Sequence, residues 1–252
     1  MMNERAVSEV IGFALVFGLI VSTVAIVSVV GFDELEDTRD QEELNNAERA
    51  FDVLADNMAD IHDSGAPSRA TEMNLQSAQL QTGSSININI TILNSSGIES
   101  VNEYTVDPIV FSGDEADIVY SAGAVFRDSP DGGVVIKKPP LEIKKERVIM
   151  SIVQLQNDGD VMSTSGGTAR IRAVNTGRRS ILTLTGSPPS KKRMVINITS
   201  PRSNLWGEYL ESQPIIECES PRENNVRCSI ESEDLPSRFY VSTTLINYVI
   251  EV

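Results

Sequence analysis

The sequence is poor in the residues that carry most enzyme chemistry. Its 252 residues include one histidine, His62, and two cysteines, Cys218 and Cys228. That is too little material for a zinc cage or a cysteine–histidine nucleophile. Lysine is also scarce, at 6 of the 21 basic residues, against 36 Asp and Glu, for a net charge of −15. Neutralising phosphates needs a basic face, so this balance argues against nucleic acid as a partner. Aromatic residues make up 5% of the chain, with Trp206 the single tryptophan. There is no G-x-S-x-G elbow, phosphate-binding loop or H-E-x-x-H motif. Asn157-Asp158-Gly159-Asp160 lacks the twelve-residue pattern of a calcium loop and reads as a turn. No catalytic residue, cofactor or metal ligand stands out, and the expectation is a protein that is not an enzyme.

Apolar residues make up 40% of the sequence, enough for a buried core and too many for a disordered chain. The charge is uneven. Residues 1–63 hold fourteen acids against Arg5, Arg39 and Arg49, a net of −11, whereas the other 189 residues have a net of −4. Little lysine with much Asp and Glu suits concentrated salt, where the Debye length falls to ~3 Å and self-repulsion weakens. An ordinary acidic protein is the plainer alternative.

Val10–Phe32 is a run of 23 residues without a charge, of which 17 are apolar. As a helix it would span roughly 34 Å, enough for a hydrocarbon core of ~30 Å. Its strongly apolar side chains favour insertion by roughly 4–9 kcal/mol. The run ends in Gly31-Phe32-Asp33-Glu34 without a small-residue cleavage site, so it reads as a retained anchor rather than a removed signal peptide. Arg5 before the run, with only Arg39 and Arg49 after it, favours a cytoplasmic N-terminus and a body outside the cell membrane.

The approach to this run is Glu4-Arg5-Ala6-Val7-Ser8-Glu9-Val10-Ile11-Gly12. A charged residue, a small residue and a carboxylate directly before a long apolar helix resemble the class III signal of archaeal type IV pilin-like proteins. The resemblance implies that a prepilin-type leader peptidase cuts between Ala6 and Val7. The apolar helix then stays on the mature chain and is available to pack with other pilin-like subunits. Glu9 becomes the third mature residue; bacterial pilins usually carry a glutamate at the fifth, paired with a neighbour's amine. Glu9 is therefore either an assembly carboxylate or an interfacial one on a plain anchor. Two further blocks, Asn45–Asn57 and Gly65–Glu72, look like blocks of an uncharacterised family of haloarchaeal pilin-like membrane proteins. That likeness covers the whole chain and implies location and architecture, with no activity attached.

After the anchor, Leu44, Ala47, Phe51, Leu54, Met58 and Ile61 recur at spacings of three and four, a heptad seam. Glu48, Asp52, Asp56 and Asp60 occupy the other faces. The seam suits either the following domain or a helix of another copy. Upstream, Asp33–Glu43 carries acids on nearly every face and reads as a spacer or a kink. Gly65 and Pro67 supply a stop, with His62 near the negative end of the helix dipole.

The remainder reads as strands: Met73–Leu80, Ile86–Ile92, Ile118–Phe126 (broken at Ser121-Ala122-Gly123), Val134–Lys137, Arg147–Gln156, Thr168–Val174, Ser180–Thr185 and Met194–Thr199. Lys137-Lys138 reads as a solvated basic spot. One short helix, Ser203–Ser212, has Ser203 as its N-cap and Leu205, Trp206, Tyr209 and Leu210 on its apolar face. Cys218 and Cys228 flank nine turn-rich residues, which suits a hairpin disulfide outside the cell or two buried thiols. Asn89, Asn94 and Asn197 begin N-x-[ST] sequons, candidate glycosylation sites on an exposed domain.

The fold class expected is α+β: a long N-terminal helix, transmembrane then amphipathic, followed by an all-β, sandwich-like head with one short helix. The division expected is a leader at 1–6, a transmembrane helix at 7–32, an acidic extracytoplasmic helix at 33–63 and a β-rich extracellular domain at 64–252. The function expected is that of a pilin-like, membrane-anchored cell-surface protein, a filament subunit or an adhesion-associated component. Its expected partners are the lipid bilayer, the leader peptidase and other pilin-like subunits. The alternatives are a solitary anchored surface binding protein and, from another class, an extracytoplasmic hydrolase working with carboxylates.

Overall fold

A computed structural model describes residues 4–94, 97–185, 193–231 and 238–252. The chain has an N-terminal apolar helix followed by a β-rich domain with one short helix, the α+β class that the sequence predicts. The first helix, α1 (Glu4–Ser64), runs unbroken through Asp33–Glu43, so that stretch is not a break. Its Glu, Gln, Arg and Leu are good helix formers, and no glycine or proline follows Gly31 until the end of the helix. Gly65, at φ +71°, ends it in the left-handed conformation that follows many helices.

The chain forms two compact units, Met1–Glu42 and Glu43–Val252. The division drawn from sequence at 63/64 therefore separates part of a helix from the sheets on which it packs.

Three sheets build the second unit. The first has the order β1 (Ser68–Asn74), β12 (Thr168–Thr185), β16 (Arg238–Glu251), β10 (Val148–Asn157), β9 (Leu141–Ile143). The second runs β11 (Ser163–Ser165), β2 (Gln79–Thr82), β5 (Ile109–Ser112), β6 (Asp117–Ser121), β7 (Ala124–Ser129), β8 (Gly132–Lys137). The third runs β14 (Glu217–Cys218), β15 (Asn225–Ile230), β13 (Arg193–Thr199), β3 (Ile86–Asn94), β4 (Gly97–Val106). Pairing is antiparallel except between β10 and β16, where Val148–Asn157 runs parallel to Phe239–Tyr248.

Several strand expectations need correction. Met73–Leu80 is not one strand, because the chain turns at Leu75–Ala78, where the Ala78 amide donates to the Leu75 carbonyl at 2.7 Å. Thr168–Val174 and Ser180–Thr185 are one strand, β12, with a bulge between Asn175 and Arg179. The break at Ser121-Ala122-Gly123 is a two-residue hairpin with positive φ at Ala122 and Gly123, which matches the twist of its strands. The central strand β16 was not read from sequence at all. The short helix, α2 (Ser203–Glu211), has Arg202 at its N-cap position with no side-chain cap, so Ser203 is not the cap. The turn before it is closed by Ser200, whose hydroxyl accepts from the Arg202 amide at 3.1 Å. Arg202 is in turn held by Asp117 and Asp128 at 2.9 and 3.0 Å. Trp206 packs edge-on against Phe126, ring centroids 5.1 Å apart, as part of the core.

All six seam residues of α1 (Leu44, Ala47, Phe51, Leu54, Met58 and Ile61) are buried in the core of the second unit. The seam thus packs within its own chain. Beside it, Glu48, Asp52, Asp56 and Asp60 form a stripe at four-residue spacing that is met by cations from the sheets. Arg127 reaches Glu48 at 3.2 Å, and Lys137 reaches Asp52 and Asp56 at 2.7 and 2.6 Å. Arg69 pairs with Asp60. Lys137 is therefore not a free basic spot. Partial burial pulls its pKa down, but the hydrogen bonds it donates to Asp52 and Asp56 outweigh this and hold it above the ordinary lysine value. Glu43, 5% exposed, accepts from the Ser77 hydroxyl at 2.7 Å and the Ala78 amide at 2.9 Å, closing the β1–β2 turn. His62, in the last turn, is buried and shares a 2.8 Å hydrogen bond with Thr244 of β16.

Two predictions follow from this docking. Phe51→Ala should lower unfolding free energy by about 3–5 kcal/mol, whereas Lys137→Met should lower it by about 1 kcal/mol or less, because its partners are exposed. Denaturant unfolding of both variants compares them; equal losses would show that the charges, not the seam, hold the helix. The pKa of His62 is lowered by burial, which outweighs Asp63 (raising) and is aided by Arg179 (lowering). Protonation therefore favours the unfolded chain. The contribution of His62 is complete above its ordinary value of 6.5 and is lost as pH falls below it. Unfolding free energy measured from pH 7.5 to 5.5 should decline in the wild type and decline less in His62→Gln.

Candidate functional site

Two features of the described structure stand apart from ordinary core and surface. The first lies in the Met1–Glu42 unit. Eighteen residues of α1, Ile11–Ser28, are long and apolar enough to cross a membrane, and none is buried in the structure. Large side chains there, Phe13, Leu15 and Leu19 among them, are 69–72% exposed. The hydroxyls inside the run are satisfied by the helix itself: Ser22 donates to the Gly18 carbonyl and Thr23 to the Leu19 carbonyl, both at 2.7 Å. Polar groups bonded in this way can enter hydrocarbon without an unpaired donor. Phe13 and Phe17 stack one turn apart, centroids at 6.1 Å. Arg5, Ala6 and Val7, the candidate processing residues, and Glu9 have helical backbone, but their side chains lie outside the described residues.

The second feature is the outer face of the third sheet. Strict alternation in β3 sends Ile86, Ile88, Ile90 and Ile92 into the core and leaves Asn87, Asn89 and Thr91 on the opposite face. β13 does the same with Ile196 and Ile198 inside, Asn197 and Thr199 outside. Pairing then sets these outer residues in rows across the sheet. One row reads Glu103, Asn89, Asn197, Arg227. The next reads Thr105, Asn87, Thr199, Asn225. Its two ends are closed by bonds, Thr105 donating to Asn87 at 2.9 Å and Asn225 to Thr199 at 3.1 Å. The first row is open. Over it lies a trough of about 370 Å³ whose polar lining is Asn89, Thr91, Glu103, Asn197 and Arg227. A groove of about 160 Å³ shares Asn197 and Arg227 and adds Glu219, Ser220, Arg222 and Asn225.

The rim at the arginine end is held covalently. Cys218 of β14 and Cys228 of β15 face each other in register and form a disulfide. Within the closed loop the Arg222 amide donates to the Asn225 carbonyl at 2.8 Å. Arg227 lies 3.6 Å from Glu219, too far for a hydrogen bond, and Arg222 has no ion pair among the described residues. On the floor, the side-chain carbonyl of Asn89 is shielded from solvent and has no hydrogen-bond partner. Sequence reasoning singled out Asn89, Asn197 and the two cysteines separately. Their convergence depends on strand register and was not legible.

That register bears on the sequons. Asn89 and Asn197 are direct cross-strand partners, so their Cβ atoms stand about 5 Å apart. Both are half-buried. A glycan stem on one fills the space above the other. Asn94 ends β3, and its side chain lies outside the described residues. Elsewhere, an apolar void of about 10 Å³ beside Ile88, Met150, Ile198 and Trp206 has room for no more than one water. Among the described residues, no three His, Cys, Asp or Glu side chains gather as a metal site requires. In a cell that glycosylates N-x-T, intact-mass analysis should find Asn89 and Asn197 never modified together. A chain carrying glycans at both would contradict this register.

No curated protein matches the sequence. Among solved structures, the ywiB protein of Bacillus subtilis is similar at 7% identity and a TM-score of 0.17, over 60% of this chain and 87% of that one. A LolA superfamily protein of Nitrosomonas europaea is similar at 10% identity and a TM-score of 0.11, over 62% and 84%. Residues 5–248, from just before the apolar run to the last core strand, match a family of unknown function, DUF7289, and the chain belongs to that family.

Proposed function

We propose that this protein is a pilin-like, membrane-anchored cell-surface protein, with its N-terminus in the cytoplasm and its β-rich domain outside. One observation carries the reading. A single helix holds an unburied, predominantly apolar stretch of eighteen residues, Ile11–Ser28, and then a seam embedded in the β-rich unit. Such a helix needs a nonaqueous surrounding for its first part and a folded domain for its second. The Cys218–Cys228 disulfide supports an oxidising compartment for the domain. The resemblance of Arg5-Ala6-Val7 to a class III signal supports leader removal by a prepilin-type peptidase. The acidic, lysine-poor composition supports a haloarchaeal setting.

A second reading, a solitary anchored surface protein, is favoured by the burial of Leu44–Ile61 within the chain's own core. That burial leaves no heptad seam for a neighbour, so assembly would rest on the apolar run alone. An extracytoplasmic hydrolase has less support, since no catalytic motif stands in the sequence.

N-terminal mass spectrometry of protein extracted from membranes tests the proposal. The expected mature chain begins at Val7 in cells with the leader peptidase and at Met1 in cells without it. An uncut N-terminus in peptidase-competent cells would remove the pilin pathway. A chain cut after Phe32 and released would remove the anchor as well. Shearing cells and probing the sheared fraction for this chain then separates a filament subunit from a solitary protein.

A further inference from the structure

We propose that the outer face of the third sheet binds an acidic saccharide, a glycan bearing hexuronate carboxylates. The inference concerns the β-rich domain alone and does not depend on the anchored reading.

The argument starts from charge. In a chain of net −15, Arg222 and Arg227 line one groove together with Glu219, and Arg227 also lines the adjoining trough, whose polar residues alternate with Leu93, Val101 and Val195. Neither guanidinium is engaged in a close ion pair: Arg227 is 3.6 Å from Glu219, and Arg222 has none among the described residues. A guanidinium presents a planar fork of donors that matches a carboxylate with two parallel bonds, so this end suits a planar carboxylate better than a lone cation would.

From there the row runs to Asn197 and Asn89. Each side-chain amide offers a donor and an acceptor close together, the pattern that neighbouring ring hydroxyls complement. The Asn89 carbonyl is an unmet acceptor, and the amide torsion that directs it is a soft one. Glu103 closes the far end, where its carboxylate can accept from hydroxyls. The sequence along the trough is therefore carboxylate end, amide middle, hydroxyl-accepting end. Inorganic phosphate or sulfate would use only the arginines. An acidic peptide would leave the amides unused.

The site is also preorganised. Asn89, Asn197, Glu103 and Arg227 sit on adjacent paired strands rather than on free loops. The loop that carries Arg222 is tied by the disulfide at its base and by its own hydrogen bond to Asn225. Ordering these groups on binding therefore loses little conformational entropy. Because the trough is shallow, the single-site affinity should be modest.

The test uses the full chain in detergent, made in a bacterium that adds no N-glycans, in a salt concentration at which circular dichroism shows it folded. Calorimetric titration compares tetragalacturonate with its methyl ester, which keeps the hydroxyls and removes the charge. It also compares sodium sulfate and a tetraglutamate peptide. The expected order is tetragalacturonate tightest, the ester at least tenfold weaker, and sulfate and peptide weaker still. Arg227→Ala should weaken tetragalacturonate about tenfold and Asn197→Ala several-fold. Arg172→Ala, on the first sheet and paired there with Glu251 at 2.7 Å, should leave binding unchanged. Thermal melts verify that each exposed-site variant stays folded. Equal binding of tetraglutamate and tetragalacturonate would overturn the proposal by showing an anion patch only. Absence of binding, or binding insensitive to Arg227→Ala and Asn197→Ala, would also overturn it.

Discussion

The structure depends on one helix whose two parts make different demands. A helix satisfies its own backbone, which is why one element can carry an apolar stretch and an amphipathic one without a break in hydrogen bonding. What changes along α1 is the demand made by its side chains. Between Ile11 and Ser28 nearly everything is apolar and nothing is buried. From Leu44 onward the apolar positions narrow to a seam, and the seam is buried. Phe51, Leu54, Met58 and Ile61 pack into the β-rich unit and make this part of the helix one of its core elements.

Charge reinforces this packing with a different kind of specificity. The stripe Glu48, Asp52, Asp56, Asp60 would be a solvated face if the helix were alone. Arg127, Lys137 and Arg69 convert it into a row of ion pairs along the edge of the docked helix. Each exposed pair is worth at most about 1 kcal/mol, so the row adds register more than strength. A rotation of the helix about its own axis would leave three cations and the seam out of step together. In concentrated salt the pairs are screened and the seam is not, so the hydrophobic contact must be sufficient by itself.

Much of this was legible in the sequence, and the reason differs by element. The apolar run and the seam are periodic over many residues, and periodicity survives in a linear string. The isoleucine alternation in β3 is legible for the same reason. β16 was not, because a central strand covered on both faces loses its alternation. Its middle, Ser242-Thr243-Thr244, looks polar yet is buried, with Ser242 3.1 Å from Ser151 and Thr244 bonded to His62. His62 was placed correctly at the helix end. Its burial against β16 depends on a contact 182 residues away in sequence, which no local pattern encodes. The trough was invisible for a related reason: its four-residue row is assembled from four strands, none of which carries more than one member.

On the face that carries the trough, one row of polar side chains is organised by the sheet and yet left open. The polar pairs of the neighbouring row close on themselves, as do others among the described residues. Thr105 bonds Asn87 and Asn225 bonds Thr199 one row away, and Glu142 is held to about 2 in pKa by hydrogen bonds from Arg147 and Lys144. In the open row, Asn89 has an unpartnered carbonyl and Arg227 a loose acid. A sheet that needed these residues only for solubility would have no reason to staple its rim with the chain's two cysteines. Cross-strand disulfides fix an edge, and this one fixes the edge beside the two arginines. Rigid placement of unsatisfied donors and acceptors next to a pinned edge is the arrangement that a ligand, rather than the fold, makes use of.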